Sequence, residues 1–540
     1  MILLAPKPLA CLILFSLPLI LFLLTSHEKH NIPSGNSPNY TIHAHFHPHH
    51  QLQQQQQQQQ VIEQRLSSIK APASTVCRGR RIYIHKLPPQ FNSDLLQQCG
   101  YGITTWLNFC AHITHHGLGK SLHSQELALT HDDQVSTPST SANDSNFLQF
   151  SDKKSQNTIR KKLLGKPGTR DKTNSGQALR RWHFEWHRTD AYMLEVIFHH
   201  RLLEYPCLTD NPEMADAFFL PYYTGLDALK YLYGKWKGNP KAQHGSNLVA
   251  WLQQDAIAKQ AWKKYRGQDH FLIMSRTPWD FGNLGSKEWG TGILQIPEYA
   301  NMTLLLFEKQ QWMPNQHAIP YPTSFHPSSP SSLHAWMKSV RNKERTTLFT
   351  FAGSVRPALM KGGIRDTLID QCLSSKAYCK LLDCKELKCS HNPEPIIRAF
   401  LQSQFCLQPR GDTPTRRSLF DAIIAGCIPV IFHNDTAYTQ YEWHLPKEAS
   451  KWSVYIDEGE IRKGVLVEET LLKYTKESMR QMREVLIGLI PKVVYAGYSF
   501  KQGEADAFDV SVREMLKLVS RKKSKLTKLE KFVEKKEGLN

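Results

Sequence analysis

The amino-acid sequence predicts an α/β protein in which two Rossmann-like domains face one cleft. Apolar runs of strand length alternate with helical patterns along residues 77–520, as in parallel sheets that are covered by helices. Five prolines between positions 314 and 330 interrupt this alternation, and a second series follows them. A chain of 540 residues is also too long for one ordinary core. We therefore expect two domains with additional segments.

The first series begins after residue 76 and contains four predicted strands and two predicted helices. The helix at 189–205 has Thr189 as its cap, Asp190 in its first turn and apolar residues at helical spacing. The proline-rich stretch at 315–345 is predicted to connect the domains. The strands are expected at 81–87, 217–220, 270–274 and 302–307, and the second helix at 247–265.

The second series repeats this pattern. Its strands are expected at 347–351, 405–407, 427–432 and 452–456, and its helices at 363–373, 415–425 and 467–489. The two series place an N-terminal domain at 77–330 and a C-terminal domain at 331–520, with a basic tail at 521–540.

Three segments are predicted to lie outside the domains. Residues 1–26 contain a nearly unbroken apolar run at 9–24, which predicts a short membrane anchor, although a cleaved signal peptide has a similar core. Residues 27–76 are rich in His and Gln and are expected to form a disordered stem. Residues 117–178 are expected to be a disordered insertion. With either N-terminal interpretation, the remaining chain faces the secretory lumen.

The basic charge is concentrated in two segments. The net charge is +19, and residues 152–181 and 513–540 hold +8 and +6 of it. Both segments are loop-like or terminal, so these charges indicate solvated surfaces and not a nucleic-acid groove.

Cysteine usage fits an oxidising compartment. Cys372, Cys379, Cys384 and Cys389 lie within 18 residues, and their spacing does not match the usual zinc pattern. One or two disulfides are expected among them, with free buried thiols as the alternative.

The segment 405–433 carries the strongest chemical signal. A predicted strand runs into a short loop, and a helix begins near Thr415; such positions bind phosphates in α/β sheets. Arginine side chains can neutralise a diphosphate leaving group there, unless one of them pairs with Asp412 or Asp421. The predicted donor-binding residues are Arg410, Gly411, Asp412, Thr413, Thr415, Arg416, Arg417 and Ser418.

A parallel loop follows the first strand of this domain. Gly353 permits close backbone approach, and Arg356 is expected to reach the same diphosphate, with an ordinary tight turn as the alternative. The chain contains no Asp-x-Asp pair, no H-E-x-x-H, no G-x-S-x-G and no P-loop motif. We therefore expect no metal and no cofactor at this site.

Several segments resemble the plant exostosin-like glycosyltransferases of family 47, most of all the xyloglucan galactosyltransferase branch. The resemblance spans roughly residues 77–520. It is carried by the run 410–432 and by the segments 182–187, 189–192, 269–274, 279–281 and 437–446. Glu442 stands beside the Tyr-Thr-Gln-Tyr run, where the family pattern has another residue, and it leaves the donor sugar undetermined.

The resemblance implies a single-pass type II Golgi membrane enzyme of the glycosyltransferase-B type, inverting and metal-independent. It would move galactose from UDP-galactose to xylosyl side chains of xyloglucan. Other members of the branch use galacturonic acid or act on mannan. The implied partners are a UDP-sugar, a xyloglucan-type acceptor, the Golgi membrane and other glycosyltransferases, without nucleic acid. A catalytically silent, glycan-binding Golgi scaffold is the alternative from another class.

Inversion requires a general base opposite the diphosphate, and the N-terminal domain is expected to supply it. Asp280 follows the predicted strand at 270–274 and lies beside Trp279, which can stack on a sugar ring. His187 and Asp190 are the next candidates. A turn-stabilising role is the alternative for Asp280, and a helix-dipole role is the alternative for Asp190.

Overall fold

Short apolar strands form the centre of the molecule. The computed structural model describes residues 75–104, 107–122, 185–233, 241–282, 289–354, 363–387, 389, 392–497, 500 and 505–537. They lie in one compact unit, residues 73–540. The predicted anchor lies outside the described residues, as do the stem and the insertion except for residues 75–76 and 117–122. No helix in the described ranges is long and apolar enough to cross a membrane.

Ten described strands form two five-stranded parallel sheets. The first sheet consists of β1 (Ile82–Ile84), β2 (Ala217–Phe219), β3 (His270–Met274), β4 (Thr303–Leu306) and β5 (Gln316–Ala318). The second consists of β6 (Thr347–Gly353), β7 (Cys379–Asp383), β8 (Ser403–Gln408), β9 (Ile428–Ile431) and β10 (Val454–Tyr455). The predicted α/β class with parallel sheets is confirmed.

Helices connect these strands. Those of the first part are α1 (Ser93–Gln97), α2 (Leu194–Leu203), α3 (Thr224–Leu232), α4 (Gln243–Gln254), α5 (Ala256–Tyr265), α6 (Pro278–Phe281) and α7 (Pro297–Asn301). Those of the second part are α8 (Pro330–Arg341), α9 (Ile364–Ser374), α10 (Pro393–Gln402), α11 (Arg417–Ile424), α12 (Glu458–Arg462), α13 (Val467–Leu471), α14 (Lys476–Val493) and α15 (Ala507–Glu537).

The first sheet is buried on both faces. Because successive side chains of a strand point to opposite faces, Phe271 and Ile273 of β3 enter the larger core, which also contains residues of α2. Leu272 and Met274 enter a second core with residues of α4. Burial on both sides explains why these strands are continuous apolar runs without polar alternation.

Two predicted helices are each divided in the structure. The helix expected at 247–265 is interrupted at Asp255, whose side chain accepts a hydrogen bond from the Ala258 amide at 2.8 Å and caps α5. The helix expected at 467–489 is divided into α13, which ends at Leu471, and α14. Thr475 caps α14, because its side chain accepts a hydrogen bond from the Ser478 amide. Both breaks occur at side chains that favour helix caps.

The region expected to be a simple connection contains structure of its own. Strand β5 completes the first sheet within 315–345, and α8 begins at Pro330 after a capping box formed by Ser329. The expected basic tail is the continuation of α15. Lys522 of this helix donates to Thr303 Oγ1 at 2.9 Å, so the C-terminal helix returns to the first sheet.

Five disulfides join the cysteines of the described residues. Within the predicted cluster, Cys372 pairs with Cys379 and Cys384 with Cys389, which confirms the disulfide interpretation. The other three are Cys77–Cys207, Cys99–Cys110 and Cys406–Cys427.

Candidate active site

The second sheet contains a topological switch point. Its strand order is β10-β9-β8-β6-β7, so the chain leaves β6 toward one side and returns to the other side at β8. In open α/β sheets, ligands bind in the crevice at the carboxyl ends of two such strands. These are the ends at Gly353 and Gln408, where the two predicted phosphate loops begin. The described strands of the first sheet follow chain order and contain no such reversal.

Gly353 ends β6 under a local steric restriction. A Cβ atom there would lie 2.7 Å from the ring of Phe351, so a larger residue would displace that buried ring. Arg356, predicted from the same loop, lies outside the described residues.

Residues 409–416, which we call the donor loop, join β8 to α11. The Gly411 amide donates to the Thr413 carbonyl at 3.0 Å, and this bond closes the loop as a tight turn. Asp412 lies at the exposed tip of the loop. The loop thus leads directly into the N-terminus of an eight-residue helix, where backbone amides and the helix dipole favour anions.

Arg416 and Ser418 form an internal brace of the donor loop. Arg416 donates to the Pro409 carbonyl at 3.0 Å and to Ser418 Oγ at 3.2 Å. Ser418 in turn donates to Gln408 Oε1 at 2.6 Å. These bonds fix the loop on the end of β8, so the brace shapes the site.

Arg410 is the predicted phosphate arginine with the most open side chain. Its side chain is 46 % exposed, and its Nε lies 3.1 Å from Glu458 Oε2. Glu458 begins α12, directly after β10. The guanidinium therefore lies at the carboxyl edge of the second sheet, which is the edge where its strands end, and it is held by one carboxylate.

Arg417 instead connects the two sheet regions. It donates to the Thr189 carbonyl at 2.6 Å and to Ser324 Oγ at 2.7 Å, and its Nε lies 3.8 Å from Asp421. The alternative that one of these arginines pairs with Asp421 is therefore confirmed for Arg417. The Arg417 side chain thus holds the start of α11 against the beginning of the 189–205 segment.

Glu308 is a site residue that sequence reasoning missed. It lies two residues after β4, and its buried Oε2 accepts from the Thr415 amide at 2.9 Å and from Thr415 Oγ1 at 2.8 Å. Burial raises the pKa of Glu308, while the bonds from Thr415 oppose that rise. Tyr321 adds a hydroxyl contact to Thr415 at 3.0 Å. The detectable signal was a polar residue directly after a predicted buried strand.

Glu442 occupies the same boundary between the sheet regions. Its Oε1 accepts from Lys309 Nζ at 2.7 Å, and the neighbouring Gln440 accepts from the Lys309 amide at 2.7 Å. The segment after β9 is thereby fixed to the segment after β4.

Asp280 has defined partners for both carboxylate oxygens. One accepts from Arg276 at 2.7 Å and the other from Trp289 Nε1 at 2.8 Å. Asp280 is also 9 % exposed and lies in α6, at the carboxyl edge of the first sheet. This geometry matches the turn-stabilising alternative, and a carboxylate retains further lone pairs for an acceptor hydroxyl.

His187 and Asp190 flank Thr189, whose carbonyl accepts a hydrogen bond from Arg417. Burial, together with the neighbouring His115, lowers the pKa of His187 to about 4. Within the described ranges its Nδ1 has no hydrogen-bond partner. Asp190 accepts from the Tyr192 amide at 2.8 Å and is itself the cap of a short helical turn, so the prediction of Thr189 as the cap was wrong by one residue.

A second buried carboxylate, Glu195, was also missed. It accepts from Thr224 Oγ1 at 2.7 Å and from the amides of Gly225 and Ser275 at 2.8 and 2.9 Å. Burial raises the pKa of Glu195 to about 7. It ties α2 to the N-terminus of α3 and to the end of β3. At helical spacing Glu195 lies away from the face formed by Met193, Val196 and Ile197, so the sequence pattern gave no signal of its burial.

Comparison with known proteins identifies the family of this molecule. The model of the exostosin GT47 domain matches residues 76–471. The chain belongs to the exostosin GT47 family. This GT47 protein is therefore a glycosyltransferase, and the resemblance noted in the sequence is confirmed.

Its relatives in Arabidopsis thaliana align over most of the chain. The probable xyloglucan galactosyltransferase GT19 is 37 % identical over 476 residues, 85 % of this chain and 95 % of the relative. Xyloglucan galactosyltransferase MUR3 is 38 % identical over 471 residues, 85 % of this chain and 66 % of the relative. Xyloglucan-specific galacturonosyltransferase 1 is 33 % identical over 455 residues, 84 % and 59 % of the two chains.

Proposed function

We propose that this GT47 protein transfers galactose from UDP-galactose to xylosyl side chains of xyloglucan. The supporting observation is the 37–38 % identity, over 85 % of this chain, to relatives named for that activity. In the proposed step, an acceptor oxygen bonds to the anomeric carbon as the bond to UDP breaks. The configuration inverts, and the acceptor proton goes to a base of the protein.

The donor is proposed to bind the second sheet in a glycosyltransferase-B arrangement. The switch point between β6 and β8 and the N-terminus of α11 support a diphosphate at this edge. Arg410 is the proposed charge partner of the leaving group, because its side chain is the most open of the three arginines between residues 410 and 417. Residues 77–330 are the proposed acceptor-side domain, and residues 331–520 the proposed nucleotide-sugar domain.

Galactose is proposed over galacturonic acid because the relatives that are 37–38 % identical are named xyloglucan galactosyltransferases. UDP-galacturonic acid remains the second candidate donor because a galacturonosyltransferase is among the relatives. A mannan acceptor and a silent scaffold are further alternatives.

The general base is proposed to come from the N-terminal domain. Asp280 is the first candidate, and His187 and Asp190 are the next, because all three lie toward the edge that meets the donor loop. Metal independence is proposed from the absence of an Asp-x-Asp pair in the sequence. A Golgi membrane location with a lumenal catalytic unit is supported by the disulfides, which persist in oxidising compartments.

The test uses purified full-length protein in detergent. We expect UDP release and addition of one hexose when it is mixed with UDP-galactose and a xyloglucan oligosaccharide that bears xylosyl but no galactosyl side chains. UDP-galacturonic acid and a mannan oligosaccharide are tested in parallel. Transfer only with another donor or acceptor would replace the proposal, and binding without turnover of any donor would favour the scaffold.

A further inference from the structure

Tyr192, Tyr233 and Trp289 are connected by side-chain contacts at the carboxyl edge of the first sheet, and Trp279 adjoins Asp280 in α6. We call Tyr192, Tyr233, Trp279 and Trp289 the aromatic platform. Tyr192 is 41 % exposed, Tyr233 43 % and Trp279 61 %. Scattered single exposed apolar residues are ordinary on a protein surface, whereas a contiguous group marks an interaction site.

A buried ion pair holds the platform in place. Arg276 lies with its guanidinium carbon 4.3 Å from the ring centre of Tyr192 and donates to Asp280 at 2.7 Å. Asp280 accepts from Trp289 Nε1 at 2.8 Å, and the Trp289 and Tyr233 ring centres are 4.9 Å apart. The rings of Tyr192, Tyr233 and Trp289 are thus linked through one charge-balanced pair, which orders them before any ligand arrives, and Trp279 directly precedes Asp280 in α6.

The platform lies beside the donor loop. Burial and the charge of Asp280 raise the pKa of Tyr233, and Asp412 at the tip of the donor loop adds to the rise. On the other side, the ring of Tyr192 lies 6.3 Å from that of Phe307, one residue before Glu308. Glu308 in turn holds Thr415 of the donor loop. A molecule on the platform would therefore reach toward the donor site.

We infer that the aromatic platform is the acceptor subsite and binds a neutral oligosaccharide by stacking its sugar rings on Trp279 and Tyr233. This rests on the proposed function. Sugar rings with equatorial hydroxyls present apolar C–H faces, and aromatic side chains cover such faces while their polar ends remain hydrated. Because Arg276 and Asp280 neutralise each other, the platform carries no net charge to attract an ionic ligand.

The test compares Trp279→Ala and Tyr233→Ala with Tyr378→Ala. Tyr378 is 42 % exposed and directly precedes β7, at the amino end of a strand in the second sheet. By calorimetry, we expect each platform variant to bind the xyloglucan oligosaccharide about ten-fold more weakly. UDP affinity should remain as in the wild type, and Tyr378→Ala should bind both ligands normally. Trp279→Phe should recover most of the loss.

Normal oligosaccharide affinity in both platform variants, or an equal loss in Tyr378→Ala, would overturn the acceptor subsite. Galactose transfer by the wild type together with normal binding by the variants would leave the proposed function intact. Conversely, if the wild type transfers no galactose to xyloglucan, the proposed function fails. A loss of mannan-oligosaccharide binding in Trp279→Ala would then still support the platform.

Discussion

The carboxyl edges of the two sheets have different chemistry. The second sheet presents a switch point, a helix N-terminus and Arg410. The first presents the aromatic platform and the carboxylates of Asp280 and Glu308, with strands in chain order. An anionic diphosphate needs positive charge and amide donors, whereas a neutral glycan needs apolar faces and a base. The division of residues between the edges therefore matches the proposed division between donor and acceptor.

Several contacts fix the edges relative to each other, and two of them hold the donor loop and the start of α11. Glu308 from the first sheet holds Thr415 of the donor loop, and Arg417 from the start of α11 reaches back to Thr189. Both are buried or partly buried and hydrogen-bonded on each side of the boundary. Side chains from both sheet regions therefore hold the proposed donor and acceptor subsites in a fixed relative position.

The largest effect is expected at the proposed base on the first edge. Asp280→Asn should keep UDP affinity and reduce turnover by about a hundredfold or more, because base catalysis typically contributes 10²–10⁴-fold. Turnover and UDP binding are measured in parallel, with exposed Asp210→Asn as the control. If Asp280→Asn turns over normally and either His187→Ala or Asp190→Asn is inactive, the general base is His187 or Asp190 and not Asp280.

On the second edge, Arg410→Ala should reduce turnover roughly 30- to 1000-fold. The loss of a charge-assisted bond to a developing phosphate charge costs about 2–4 kcal/mol. Steady-state kinetics with varied UDP-galactose measure the change, and Arg480→Ala on α14 is the control, since its ion pair with Glu477 is exposed. If both variants match the wild type, Arg410 does not contact the donor.

A smaller effect is expected where the edges meet. Glu308→Gln replaces a buried acceptor of two bonds with an amide and should raise the KM for the donor about ten-fold, given about 1.5–3 kcal/mol for bonds to a charged group. Glu484→Gln is the control, because its pair with Arg341 is exposed and exposed pairs contribute about 0–1 kcal/mol. Equal kinetics in the two variants would show that Glu308 does not position the donor loop.

Chelation should have the smallest effect. If arginine and helix-terminal amides replace a metal at the diphosphate, turnover should be unchanged by EDTA. The rate is measured before and after dialysis against the chelator. Complete loss with EDTA and recovery with manganese would refute metal independence and assign the diphosphate a different partner.

Sequence patterns predicted those strands and helices whose buried residues form a continuous or regularly spaced apolar run. The run 270–274 forms β3 with the predicted bounds, because every residue in it is buried. Strand β7 was missed because Lys380 and Asp383 interrupt its apolar pattern, and β5 because Gln316 and His317 leave it a single apolar residue. Asp255 is a residue type that favours helix caps, but the apolar spacing continues on both sides of it. The sequence pattern therefore predicted one helix where the structure has α4 and α5.

The site could be predicted only in part because its contacts are long-range. The switch-point loops follow from local strand–loop–helix signals, which predict Gly353 and Arg410 as site residues. Arg417 binds a carbonyl 228 positions away, and Glu308 binds Thr415 across 107 positions. No local pattern distinguishes an arginine that binds phosphate from one that joins two parts of the protein.

Calorimetric titration of UDP and of the xyloglucan oligosaccharide into Arg410→Ala and Trp279→Ala tests most directly whether the two edges divide donor from acceptor. The account predicts that Arg410→Ala loses UDP affinity and binds the oligosaccharide normally, and that Trp279→Ala does the opposite. Loss of both ligands in either folded variant, or loss of UDP in Trp279→Ala alone, would contradict it.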